Sequence, residues 1–149
     1  MDSIVAVNIT IVAIILVGLA ALRLLKEHKR KRRGKKVRIR EQLKIYSQLL
    51  SYAEKIQRKI DKFLEQYRKK QREDFDLKKG DHPVKDTSAV DLIRIIENNR
   101  HLIEKDTEEK YKEIIKKSYF DKDLIWVNET TLDFLGAIIN DYYNLEEQE

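Results

Sequence analysis

The sequence predicts an all-α chain, with one N-terminal transmembrane helix followed by a small cytoplasmic helical bundle that has a long first helix and three to four helices. Three observations carry that expectation. Residues Ser3 to Leu22 contain no charge. Gly (four) and Pro (one) are scarce in a chain that is 38% charged, which disfavours a turn-rich sheet architecture. Beyond Ile39, apolar residues recur at alternating spacings of three and four, the period of a helix face. With 149 residues there is room for one membrane segment and one modest domain. The expected division is residues 1–25 as anchor, 26–40 as a basic juxtamembrane stem, and 41–149 as the helical domain, with a linker at 73–87.

Length identifies the anchor. Twenty helical residues rise about 30 Å, the hydrocarbon thickness of a bilayer. Asn8 and Thr10 interrupt the run near its start, where each can bond to a backbone carbonyl. A cleaved signal peptide would begin with a basic region and end at small residues. This segment begins with Asp2 and ends in Leu24, Leu25 and Lys26, so an uncleaved anchor is expected. Gly18, Ala20 and Ala21 form no GxxxG pairing face.

Charge sets the expected orientation. Eleven of the 31 Lys and Arg fall between Arg23 and Arg40, against Glu27 alone. With Asp2 also set aside, 20 basic and 24 acidic residues remain over 41–149, so the stem is basic and the domain mildly acidic. Short basic flanks stay on the cytoplasmic side, which puts the N terminus outside and the chain in the cell membrane as a single-pass protein. Lys29, Arg30, Lys31, Arg32, Arg33, Lys35 and Lys36 are the candidate contacts for anionic lipid headgroups. No aromatic residue falls between Arg23 and Arg40, so the stacking partners of a single-strand nucleic-acid binder are missing. Two N-x-T triplets, at Asn8 and Asn128, are expected to stay unglycosylated, one being inside the membrane and the other cytoplasmic.

In the stem, Gly34 offers a place for the chain to change direction. The long helix after it, Ile39 to Arg72, places Ile39, Leu43, Tyr46, Leu50, Ala53, Ile60, Leu64 and Tyr67 on a principal stripe, with Leu49, Ile56 and Phe63 as a second row. That stripe is wider than a two-stranded coiled-coil seam, which favours a monomeric or weakly associating bundle. Gly80-Asp81-His82-Pro83 breaks the pattern. A second helix is expected from Thr87 or Ser88, with Ser88 and Asp91 in capping-box spacing, and a break near Asp106 to Thr107. Ser118 to Asn128 reads as a compact loop or short strand-like link that packs Phe120, Leu124 and Trp126 onto the helices. The last helix, from about Thr131 to Leu145, contains Gly136 as a candidate point of close helix approach.

Chemistry is hard to find. The chain has no cysteine, which excludes disulfides, thiol nucleophiles and thiolate metal sites. His28, His82 and His101 form no metal-ligand spacing; Glu97, His101 and Lys105 read as a solvated ion-pair ladder. The run Asp74-x-Asp76 to Gly80-Asp81 fails as a calcium loop because Lys78 and Lys85 occupy ligand positions. Asp121 and Asp123 could pair as acid and base, but loop carboxylates so placed are ordinarily solvated. From Ser118 onward eight acidic residues face Lys122 alone, which would suit a basic partner or simply a soluble surface. No catalytic, cofactor or metal residue emerges. The expectation is a non-enzymatic interaction or scaffold module with an unidentified protein partner. The rival readings are a membrane-associated sensor or small enzyme using dispersed carboxylates, and an accessory subunit of a membrane complex.

Overall fold

The computed structural model describes residues 2–71 and 82–149. It contains four α-helices and three short strands in the order α1 (Asp2–Gln71), β1 (Pro83–Lys85), α2 (Ser88–Asn98), α3 (Lys105–Lys116), β2 (Phe120–Asp121), β3 (Leu124–Trp126) and α4 (Glu129–Gln148). Helix accounts for 84% of it, which fixes the class as helical in spite of the strands. Residues 73–81 of the expected linker, and with them Asp74 to Gly80-Asp81, lie outside the described residues. Two compact units are distinguished, Met1–Arg38 and Ile39–Glu149.

The first unit is helical throughout its described residues, and α1 runs through Gly34 without a bend residue being needed. A Cβ added at Gly34 would meet nothing within 4 Å, so the glycine here relieves no crowding. Among the described residues α1 is the one helix long and apolar enough to cross a membrane. From Ile4 to Leu25 its large apolar side chains are all at least half exposed. The Thr10 hydroxyl donates to the Ala6 carbonyl at 2.9 Å, so this polar group is satisfied inside the helix.

The second unit has its own core. Along α1 the buried residues are Ile39, Gln42, Tyr46, Leu49, Ala53, Ile56 and Ile60, an unbroken alternation of three and four. The centre of this stripe is displaced from the one the hydropathy period predicts: Leu43, Leu50 and Leu64 are half-buried flanks, and Leu49 and Ile56 belong to the seam. Hydropathy favours Leu43 over Gln42, but Gln42 is buried by hydrogen bonding. Its Nε2 donates to the Leu102 carbonyl at 3.0 Å and to Glu104 Oε1 at 2.8 Å. Facing the seam in one cluster are Leu92 and Ile96 of α2, Tyr111 and Ile114 of α3, and Phe134, Leu135 and Ile138 of α4. The Phe134 ring takes the Phe120 ring edge-on at 5.6 Å between centroids.

The connections differ from expectation in detail. The break after α2 falls at Asn99, with a 3-10 turn over Arg100–Leu102, and α3 begins at Lys105, ahead of the expected Asp106. Ser88 lies inside α2 and does not cap it; its backbone N–H donates to Asp86 Oδ1 at 2.9 Å. The strand-like link becomes a sheet of order β1-β3-β2, both pairs antiparallel, with Val84 and Phe120 each opposite Ile125. These three side chains are buried, so the inward parity is Phe120, Ile125 and Val127, while Leu124 and Trp126 are only half-buried. Helix α4 starts earlier than expected because Asn128 caps it: Asn128 Oδ1 accepts from the Thr131 N–H at 2.8 Å. Gly136 is exposed, and an added Cβ there would meet nothing within 4 Å, so it mediates no close helix approach.

Candidate functional site

The residues that the charge census singles out, Lys29 to Lys36, all lie on α1 and are all exposed. Among the described residues none of the seven cations enters an ion pair or side-chain hydrogen bond. Helical geometry turns successive side chains by about 100°, so Arg23, Lys26 and the run Lys29 to Arg33 surround the axis with no gap wider than about 100°. This is a collar, not a stripe. Leu24, Leu25 and Val37 are the only large apolar residues between Arg23 and Arg38, and they point in separate directions, so this segment has no apolar face. At about 1.5 Å per residue, Lys29 to Arg33 lie roughly 6 to 12 Å beyond Leu25, and Lys35 and Lys36 roughly 15 to 17 Å beyond it.

A second polar feature sits inside the unit Ile39–Glu149. Asp141 of α4 is buried, and its Oδ2 accepts from the Thr107 hydroxyl at 2.6 Å, from the Thr107 N–H at 3.3 Å and from the Tyr46 hydroxyl at 3.4 Å. The Tyr46 oxygen in turn accepts from the Glu104 N–H at 2.9 Å. Burial pushes the Asp141 carboxyl above the usual aspartate range, and the Thr107 bonds pull it part of the way back. Burial raises the Tyr46 phenol as well, keeping it protonated as a donor. These groups join α1, the start of α3 and α4, and every one is engaged by a neighbour. The arrangement is that of a structural lock.

The remaining sequence candidates do not assemble. Glu97 and His101 are not on one helix, because α2 ends at Asn98; Glu97 accepts from the Tyr111 hydroxyl and lies 3.9 Å from Arg100. Lys105 pairs with Glu109 instead. Asp123 lies 3.5 Å from the Lys85 ammonium across the sheet, and Asp121 is exposed. Among the described residues no three His, Asp or Glu side chains gather as a metal site. An open groove of about 720 Å³ lies between α1 and β1, lined in part by Lys59, Lys62, Phe63, Val84 and Lys85. Asp86 is the one carboxylate in its described lining, and it is committed to Ser88.

The chain matches no family model, no curated protein and no solved structure.

Proposed function

We propose that this chain is a single-pass membrane tether that holds a non-enzymatic helical interaction module, residues 41–149, at the cytoplasmic face of the cell membrane. One observation carries the reading: an apolar helix surface exposed on every side runs to Leu25 and gives way at once to a collar of cations that, among the described residues, no carboxylate of the chain holds. The exposed apolar surface is not a missing piece of the domain core, since Ile39–Glu149 buries its own cluster of Tyr46, Leu49, Ile56, Leu92, Phe134 and Ile138. Only a nonaqueous surrounding accommodates so much apolar surface cheaply. The cations then favour retention of the C-terminal domain on the cytoplasmic side. An interaction role is favoured over catalysis because the described lining of the groove beside β1 presents lysines with Asp86 as its one carboxylate, and Asp141 is locked in the core.

Carbonate extraction and protease protection of the full chain in its native membrane test this. The chain should stay with the membrane at alkaline pH, and external protease should leave residues 41–149 uncut. Release by carbonate, or cleavage of the domain from outside, overturns the tether or its orientation respectively.

A further inference from the structure

We infer that the collar on α1 is a binding site for anionic phospholipid headgroups of the cytoplasmic leaflet, that its Lys29 to Arg33 level does most of the binding, and that Lys35 and Lys36 stand largely above it. The inference rests on the tether reading above and assigns a ligand class and a depth to its basic segment.

Geometry selects this ligand. A helix that lies flat on a membrane needs an apolar face to bury and a cationic face on the other side. The segment after Leu25 has no apolar face, and its cations surround the axis. Such a ring is matched by a ligand that also surrounds the axis. Headgroups around a helix that crosses the leaflet end-on meet that requirement from every direction, whereas a single bound phosphate would engage one side and leave the rest idle. The cations are also free to bind: among the described residues none of Lys29 to Lys36 is held by a carboxylate of the chain, and Glu27 is the only acidic residue from Arg23 to Arg40. Arg23 and Lys26 flank Leu24 and Leu25, where long stems reach back to the interface along apolar surface.

Depth is set by screening. At physiological ionic strength the attraction of a charged surface decays over about 8 Å. Lys29 and Arg30 lie about 6 to 8 Å beyond Leu25, and Lys35 and Lys36 about 9 Å farther out, which is one further decay length. Equal numbers of charge removed at the two levels should therefore have unequal effects. With roughly a fivefold contribution per cation near the surface, the inner pair is worth on the order of tenfold or more, and the outer pair no more than about threefold.

The test uses the full chain reconstituted in bilayers of phosphatidylcholine with spin-labelled phosphatidylserine or phosphatidylcholine as probes. The spectra give the relative association of each lipid with the protein. Expected is a preference for phosphatidylserine that falls about tenfold in Lys29→Gln/Arg30→Gln, falls less than about threefold in Lys35→Gln/Lys36→Gln, and collapses in 1 M salt, where the screening length is about 3 Å. Circular dichroism of each variant at its parent's helicity shows that the helix is intact. Equal association of both lipids with a chain that resists carbonate overturns the lipid site while leaving the tether in place. An outer-pair effect equal to or larger than the inner-pair effect overturns the assigned depth. Displacement of phosphatidylserine by inorganic phosphate, beyond that caused by chloride at the same ionic strength, would reassign the site to free phosphate. Release of the chain by carbonate is the separate signature that the tether reading itself is wrong.

Discussion

Replacing Thr107 with Val removes one hydroxyl, keeps the side-chain shape, and tests the lock that joins three helices. Thr107 is fully buried, and its hydroxyl makes the shortest bond to Asp141, 2.6 Å, against 3.3 Å for its own N–H and 3.4 Å for the Tyr46 hydroxyl. The variant leaves a buried carboxylate with two long partners. Hydrogen bonds to charged groups contribute about 1.5 to 3 kcal/mol, so Thr107→Val should cost roughly 2 to 3 kcal/mol at neutral pH. For a domain of this size that is on the order of 10 °C in Tm. The pH dependence is the sharper part. The hydroxyl favours the ionised carboxylate, so the variant's Asp141 should titrate at still higher pH than the already raised parent's. The cost is thus fully present above both folded-state values and shrinks as pH falls through them, because a protonated Asp141 needs the bond less. Urea denaturation of the full chain in detergent, followed by circular dichroism from pH 7 to pH 4, measures both quantities. A cost below about 0.5 kcal/mol at pH 7, or one that does not change with pH, would refute the assignment of Asp141 as a buried, hydroxyl-supported carboxylate.

Other substitutions probe the fold at single positions in the same melting assay. Ile56→Asp places a carboxylate in the buried seam of α1 and should cost several kcal/mol, whereas Leu50→Asp on the half-buried flank should cost distinctly less; equal costs would mean that the seam is misplaced. Gly136→Ala should stabilise by up to about 1 kcal/mol, since the site is exposed and a methyl group meets no neighbour, and a loss of stability would contradict that open space. Ser118, which ends α3 with a φ of 55°, should also gain from glycine, by up to about 1 kcal/mol; no gain would argue against the left-handed cap. Asn128→Ala should cost about 1 kcal/mol through loss of the bond to the Thr131 N–H, and a neutral result would remove the cap from α4.

How much of the fold is legible in the sequence depends on where each signal resides. The long α1 and the amphipathic helices near Ser88 and Thr131 announce themselves through period and composition, which are local properties. The centre of the α1 stripe does not. Gln42 is buried because its amide finds the Leu102 carbonyl and Glu104, partners some sixty residues away that no pattern in the helix encodes. The end of α3 is hidden for a different reason. The Tyr119 N–H reaches the Ile114 carbonyl at 3.0 Å and the Ser118 N–H reaches the Ile115 carbonyl at 3.2 Å, the bonds of a Schellman cap, but serine stands where glycine would have signalled it. The small sheet is visible only in part: a strand-like link is expected over Ser118 to Asn128, but the strands are two or three residues long and the first, Pro83–Lys85, sits where breakers dominate the pattern. At the candidate lipid site, charge density is plain from the sequence. The collar needs Arg23 to Arg33 to be helical, and the separate level of Lys35 and Lys36 needs the helix to continue through Gly34, which in the sequence reads as a place to bend.

The capped start of α4 bears on how the chain's sidedness can be mapped. Asn128 belongs to an acceptor triplet, and a sugar attached there would ordinarily report that the domain had entered a secretory lumen. In the folded chain that side chain is 4% exposed, with its oxygen committed to Thr131. The sugar would be carried by Nδ2, which is buried with the rest of the side chain, so the folded domain has no room for a glycan there and a bare Asn128 in a folded chain is a poor report of its compartment. A reporter triplet for such mapping belongs instead on open surface, such as the hairpin turn around Lys122, where a modification can be read without unfolding the segment that carries it.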